Sequence, residues 1–556
     1  MKLRGAQVLL QCLKEQGIDT IFGYPGGAVL PIYDALYGMK EITHILTAHE
    51  QGATHAADGY ARSTGKVGVV IATSGPGATN TVTGIATACR DSVPLIVITG
   101  QVSQKLLKKD SFQEVDFVSI TKSITKKNYI VTDPKSLAAV VREAFMIAKS
   151  GRPGPVVIDI PKDVQEAFID YEAGQGDKTL LSESKKYVTF DEVSLGRAID
   201  IINDSRKPVI YAGGGVVISE SHKELREFAE KINSPVTCSL MGIGAFPGNH
   251  ESYMGMVGMH GTRCSNYAVN NCDLLIAVGA RFSDRVISKV EAFAPNARLI
   301  HIDIDPREFG KNIDTAVSLA GDAKKILSLL IERVEKKDND LWTEQIQNWK
   351  GYKTSERKDI YSLRPENIIE KLQELAGNNC IITTEVGQNQ IWTAQYFKFL
   401  KPRTFITSGG LGTMGFGLGA AIGASIGNPD KKVINIAGDG SFKMNSTELA
   451  TVARYRIPII QLVLNNHVLG MVHQWQDLFY QGRFSHTKLG EDVDFIKLGA
   501  AYGIKTMKIT EDKQIDTILR EALSLKEPVI IECIISSDNK VFPIVPPGAA
   551  ITECIG

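Results

Sequence analysis

Short aliphatic runs that stop in small-residue turns recur along the whole chain: VGVVIATSG and PLIVITG, then KPVIYAGGG, DLLIAVGAR and RLIHIDID, then CIITTE, KVINIAGDG, IPIIQLVLNN and PVIIECI. Helical stretches such as HEQGATHAADGYARSTG separate them, and strand alternating with helix is the pattern of a parallel sheet with crossovers. At 556 residues the chain exceeds what one hydrophobic core can serve. The expected fold class is α/β, with three doubly wound parallel-sheet domains.

The first domain spans residues 1–165 and opens on MKLRGAQVLLQCLKEQGI, which reads as an amphipathic helix. Periodicity is lost over 166–190, where Gly, Ser and charge gather, so this stretch reads as a linker. The second domain covers 190–350 and closes on a polar, Lys-rich helix over 324–350. A second linker lies near 351–364, and the third domain follows over 365–540. The tail 541–556, VFPIVPPGAAITECIG, is Pro-rich and apolar without periodicity, and is expected to act as a lid.

Lys plus Arg equals Asp plus Glu at 62 each, which leaves no global field for nucleic acid or an anionic membrane. The eight cysteines contain no CxxC pair, which argues against a disulfide framework or zinc knuckle and for a reducing compartment. Neither a signal-peptide pattern nor an apolar run of membrane-spanning length is present. A cytoplasmic protein without targeting segments is the expectation.

GDG at 438–440, followed by the pair Asn465 and Asn466, carries the most specific chemistry. Asp439 closes one strand run and Asn466 another, and a βαβ crossover sets both at the carboxyl edge of adjacent parallel strands. A carboxylate and an amide oxygen are hard ligands suited to Mg²⁺, which completes its shell with phosphate oxygens and water. The flanking glycines let backbone approach a phosphate, and a helix expected to start near Phe442 offers free N–H groups. The alternative for GDG alone is an ordinary turn. His49, Glu50 and His55 do not form a zinc motif, because the second His follows Glu50 by five residues, which HExxH does not allow.

The words YPGGAVLPIYDAL, HEQGATHAADGYAR, TSGPGATN, GRPGPVVIDIPKDV, GMHGT, HIDIDP, LGTMGFG, GDGSFKMN and GMVHQWQ run in order along the chain. The chain resembles the thiamine-diphosphate enzymes and, over nearly its whole length, the catalytic subunits of acetohydroxyacid synthase, also called acetolactate synthase. The resemblance implies a pyrimidine-binding first domain, an FAD-type middle domain and a diphosphate-binding third domain. It also implies decarboxylation of pyruvate and ligation of the two-carbon unit to a second pyruvate or to 2-ketobutyrate, in branched-chain amino-acid biosynthesis. A homodimer or higher oligomer is implied as the active unit, with a small regulatory subunit as partner.

By the same resemblance, thiamine diphosphate lies against Gln388, Met414, Gly438, Asp439, Gly440, Ser441, Asn466 and Met471, and Mg²⁺ is held by Asp439, Asn466 and the main-chain carbonyl of Val468. Glu50 meets the pyrimidine nitrogen in apolar surroundings, and Gly27, Gln113 and Lys162 are its catalytic companions. Phe112, Val472 and Trp475 form the substrate pocket, Trp475 favouring the extra methyl of 2-ketobutyrate. FAD is implied at Arg152, Gly213, Gly214, His260, Gly261, Thr262, Gly279, Arg281, Arg285, Asp303 and Asp322. Read without the resemblance, Glu50 favours a helix N-terminus, Lys162 and Gln113 are surface groups, and Met414, Met471, Val472 and Trp475 pack a core. Two positions depart from the family pattern: Ser283 stands where it has Asp, and Asn389 where it has His. The competing readings are a flavin-independent catabolic acetolactate synthase, another thiamine-diphosphate decarboxylase or oxidase, and an inactive cofactor-binding scaffold.

Overall fold

The computed structural model describes residues 1–174, 190–351 and 363–556. It contains three six-stranded sheets, each parallel throughout. In spatial order the first sheet runs Thr43–Leu46, Thr20–Gly23, Gly68–Ala72, Leu95–Gln101, Val156–Pro161, Lys127–Ile130. The third runs Phe405–Ile406, Cys380–Thr384, Lys432–Gly438, Ile459–Asn465, Val529–Ile534, Lys505–Ile509. Counted along the chain, both follow the order 2-1-3-4-6-5. The middle sheet runs Tyr253–Met256, Val236–Cys238, Pro208–Ala212, Leu274–Val278, Arg298–Asp303, Val317–Ala320, which is 3-2-1-4-5-6, the dinucleotide-binding order. The α/β class expected from the sequence is what the structure has.

Sheets covered by helices on both faces need strands that are apolar on both sides. Val433, Ile434, Ile436 and Ala437 are all fully buried, as are Val69, Val70, Ile71 and Ala72 in the first sheet. First and third domains share a core in which helix Glu50–Thr64 packs on helix Phe416–Gly427 through Ala53, Ala56, Ala57, Ala420, Ala421 and Ala424. Glycines make the approach close: a methyl at Gly59 would come 2.1 Å from the carbonyl oxygen of Ala420.

The helix expected over 324–350 is two helices, Ala323–Arg333 and Asp340–Lys350. Val334 adopts extended backbone and stops the first, while Trp342 donates to the carbonyl of Pro208 at 3.0 Å and fixes the second on the middle sheet. The helix expected near Phe442 begins earlier, at Asp439, with Gly438 as its cap. Within the first linker, Phe168–Asp170 pairs antiparallel with Lys2–Arg4. Residues 175–189 of that linker and 352–362 of the second lie outside the described residues. The tail lies over the middle domain: Val541, Ile544, Val545 and Ile551 are buried, and Val545 donates to the carbonyl of Met259 at 2.8 Å. Among the described residues no helix is long and apolar enough to cross a membrane.

Candidate active site

The strands Lys432–Gly438 and Ile459–Asn465 pair directly, so Asp439 and Asn466 leave the same edge of the third sheet side by side. Both are buried, and Oδ2 of Asp439 has no hydrogen-bond partner. Burial pushes its carboxyl up to about 6, against the pull of Lys443 and nearby backbone N–H groups. An orphaned, desolvated carboxylate oxygen costs free energy unless a cation meets it. Oδ1 of Asn466 accepts from the Val468 N–H at 3.3 Å, and its amide donates to Oε1 of Gln388 at 3.2 Å. Gln388 in turn donates to Gln474 at 2.9 Å and to the carbonyl of Asn539 at 3.0 Å.

A cavity at this edge is lined by Gln388, Asn389, Met414, Gly438, Asp439, Gly440, Ser441, Asn466, Val468, Met471 and Val472, so every cofactor residue implied for this domain is brought together. A methyl at Gly440 would stand 2.7 Å from Leu469, and one at Gly470 2.1 Å from Oε1 of Gln388, so side chains there would fill the cradle. The donor set and the cradle fit Mg²⁺ with a diphosphate. Asn389, in place of His, spends its amide N–H groups on the carbonyls of Glu385 and Ile436, at 3.0 and 2.8 Å.

The first sheet carries a second constellation at its carboxyl edge. Glu50 begins helix Glu50–Thr64 and is buried, with Oε2 accepting from Asn80 at 3.0 Å. Oε1 faces Gly77, where a methyl would come within 3.1 Å. Glu50 thus has a polar partner, not the purely apolar surroundings the sequence suggests. Thr73 links this group to the loop of Gly27: a methyl on Gly26 would meet Thr73 at 2.5 Å, and the Ala28 N–H donates to its hydroxyl at 3.3 Å. Gly27 itself faces open space. Gln113 lies against Gly75 with a positive φ of 59°, and neighbouring Phe112 is 87% exposed. Lys162 is half-buried at the start of helix Lys162–Glu166. None of these residues lines the cavity of Asp439.

A larger cavity of about 1050 Å³ lies where all three domains meet and is lined by Arg90, Asp91 and Arg152 of the first, by Gly214, His260, Gly261, Gly279, Arg281, Arg285, Asp303 and Asp322 of the second, and by Met414, Met471, Val472 and Trp475 of the third. It opens where the strand order reverses, after Pro208–Ala212 and Leu274–Val278, the ligand position of such sheets. Their following glycines nearly touch: a methyl at Gly215 would come 2.6 Å from the Cα of Gly279. Burial holds His260 down to about 4, hence uncharged near neutrality, and pushes Asp303 up to about 6. Arg152 pairs with Glu308 at 2.8 Å. Strand order, cavity size and a lining that mixes Arg281 and Arg285 with Asp303 and Asp322 fit a dinucleotide such as FAD. Two implied residues stand outside the lining. Gly213 is packed against the Gly279 carbonyl, and Thr262 spends its hydroxyl capping helix Arg263–Asn271. Ser283 lines the cavity where the family has Asp.

Several polar residues were not singled out from the sequence. Asn80 ends TSGPGATN, and its bond to Glu50 spans thirty positions. Glu448 accepts from the N–H groups of Ala48 and His49, at 3.2 and 3.0 Å, across the domain boundary. Glu385 and Asp91 are buried against the segment Ser408–Leu418. Only their position at strand and helix ends signalled them, and that signal is weak.

Three family descriptions cover most of the chain: "Thiamine pyrophosphate enzyme, N-terminal TPP binding domain" over residues 3–120, the central domain over 195–330 and the C-terminal TPP binding domain over 385–533. The "Probable acetolactate synthase large subunit" of Methanocaldococcus jannaschii is 47% identical over 564 residues, covering 100% of this chain and 95% of the relative. The acetolactate synthase isozyme 2 large subunit of Escherichia coli is 44% identical, covering 100% and 99%. The acetolactate synthase large subunit of Buchnera aphidicola is also 44% identical, covering 99% and 98%. Matched end to end at this identity, with all three domain types in order, the chain belongs to the acetolactate synthase large-subunit family of thiamine pyrophosphate enzymes.

Proposed function

We propose that the chain is a biosynthetic acetolactate synthase: it decarboxylates pyruvate and ligates the two-carbon unit to a second pyruvate, giving 2-acetolactate, or to 2-ketobutyrate, giving 2-aceto-2-hydroxybutyrate. The observation that carries this reading is the orphaned Oδ2 of Asp439 beside Asn466 and the GDG cradle, in a chain matched throughout to enzymes of that name. Thiamine diphosphate, held there through Mg²⁺, supplies the carbon nucleophile. Asp439, Asn466 and the Val468 carbonyl are the metal ligands of this reading, and Glu50 holds the proton on the pyrimidine nitrogen.

Glu50 and Asp439 lie on edges of different sheets, and the cavity of Asp439 contains no first-domain residue. This separation supports a homodimer in which one copy offers Glu50, Gly27 and Gln113 to the Asp439 cavity of the other. Phe112, bare in the single chain, then walls the substrate pocket with Val472 and Trp475, and Lys162 steers a substrate carboxylate. The cavity at the middle sheet's switch point supports FAD. The relatives' designation as large subunits supports a small regulatory partner, and the free cysteines support a cytoplasmic setting.

The test is a carboligation assay on the purified chain with pyruvate, omitting Mg²⁺, thiamine diphosphate or FAD in turn, beside Glu50→Gln. Acetolactate is expected only with all three, and Glu50→Gln is expected to lose on the order of 10² to 10⁴-fold in kcat. Turnover without FAD would favour the flavin-independent reading, and no acetolactate under any condition would sink the proposal.

A further inference from the structure

Segment Ser408–Leu418, SGGLGTMGFGL, carries Met414 between glycines 409, 410, 412, 415 and 417. Met414 is its one residue that lines both described cavities. Phe416 and Leu418 are buried in the core and anchor the segment's far end, but the glycines on either side of Met414 offer no side chain to pack and lose more backbone entropy than any other residue when fixed. Around Met414 hydrogen bonds must therefore do the holding, and buried carboxylates at the two ends provide them.

At one end Asp91, from the first domain, accepts from the N–H groups of Gly409 at 3.1 Å and Gly410 at 2.7 Å. Arg62 balances its charge at 3.0 Å. In the middle the Thr413 hydroxyl meets that of Thr87 at 2.7 Å. At the other end stands Glu385, fully buried at the close of strand Cys380–Thr384. Its Oε2 accepts from the Gly415 N–H at 2.7 Å and the Ser441 hydroxyl at 2.8 Å. Oε1 accepts from the N–H groups of Gly417 at 2.9 Å and Leu418 at 3.3 Å. Its own backbone is fixed to the carbonyl of Ile436 at 3.1 Å, on the strand that ends in the GDG turn.

We propose that Glu385 is a positioning residue, whose buried carboxylate ties the backbone after Met414 to the Ser441 hydroxyl and so sets where the Met414 side chain stands relative to the GDG turn. A carboxylate is the one side chain that offers several acceptor sites and no donor. This inference rests on the reading above that Met414 borders the bound cofactor. A neutral isostere tests it sharply: in Glu385→Gln an amide NH₂ replaces one oxygen and faces N–H or O–H donors.

The experiment combines hydrogen exchange on the unliganded chain with a double-mutant cycle in the carboligation assay, using Glu385→Gln, Met414→Ala and the pair. In Glu385→Gln, amides of residues 415–418 are expected to exchange faster while helix Glu50–Thr64 keeps its protection. The kcat is expected to fall about 100-fold, as for a misplacement near 1 Å, with KM for pyruvate little changed. In the Met414→Ala background, the Glu385→Gln change is expected to cost less than about threefold more. Unchanged exchange at 415–418, or full additivity with an impaired Met414→Ala, would overturn this inference alone. A Met414→Ala enzyme with undiminished kcat would overturn both it and the placement of Met414 at the cofactor. If Glu385→Gln does not fold, Glu385→Asp, which keeps the charge and loses one methylene, replaces it in both measurements, and the same outcomes support or overturn the inference.

Discussion

Gly423 lies so close to Ala56 that a methyl added to it would stand 1.7 Å from the Ala56 carbonyl oxygen. This contact seats helix Phe416–Gly427, which follows Met414, on helix Glu50–Thr64, which begins with Glu50. The obstacle is backbone and has no rotamer by which to yield. Gly423→Ala is expected to destabilise the chain by about 3 kcal/mol, the upper range for overpacking. Urea unfolding checks it against Gly38→Ala, where nothing lies within 4 Å and a change within about 0.5 kcal/mol is expected.

Asp439→Asn keeps the shape of the third-sheet edge but removes the charge that a cation would meet. The native chain is expected to gain about 2.7 kcal/mol from Mg²⁺ and thiamine diphosphate at a hundredfold excess over Kd. The variant is expected to gain little. Thermal scans with and without the two ligands decide it, and an undiminished gain in Asp439→Asn would remove Asp439 from the metal site.

Trp475 shares the larger cavity with Met471 and Val472 on helix Gly470–Phe479. An apolar contact to one extra methyl group discriminates by about 1 to 3 kcal/mol. Trp475→Ala is expected to lower the preference for 2-ketobutyrate over pyruvate at least about tenfold while acetolactate formation continues. Competition assays with both keto acids read the ratio directly.

Asp159 gives a pH signature independent of any ligand. Burial pushes its carboxyl up from 3.8 to about 7, against hydrogen bonds from Thr99 at 2.8 Å and Gln101 at 3.0 Å. Because the folded state keeps this proton longer than the unfolded state, the site's contribution is most favourable below pH 3.8. It declines as pH rises from there through about 7, and is level above. The urea midpoint of the native chain is therefore expected to fall between pH 5 and 8 relative to Asp159→Asn. Parallel midpoints for the two proteins over that range would contradict the shift.

Much of this protein was legible in its sequence because the relevant physics is local. Aliphatic runs ending in small residues specify strands of a doubly covered sheet, and GDG and NN, each closing such a run, were bound to reach the same edge once those strands paired. The α/β class and the meeting of Asp439 with Asn466 at one sheet edge needed nothing else. Other features depended on what the chain meets far away in sequence. Val334 interrupts a helix whose composition favours continuing it, since Trp342 must reach the middle sheet. The 3-2-1-4-5-6 order, which makes the middle domain a dinucleotide fold without a GxGxxG word, is set by crossovers that no local pattern encodes. Gly213 and Thr262, both implied at the flavin, stand outside the cavity lining, because backbone packing and helix capping claim them. Glu50 with Asn80, and Glu385 and Asp91 with the glycines around Met414, are hydrogen bonds whose partners lie up to 319 residues apart. A sequence names the donors and acceptors; tertiary structure alone decides which of them meet, because a buried polar group must find its partner wherever the fold brings one.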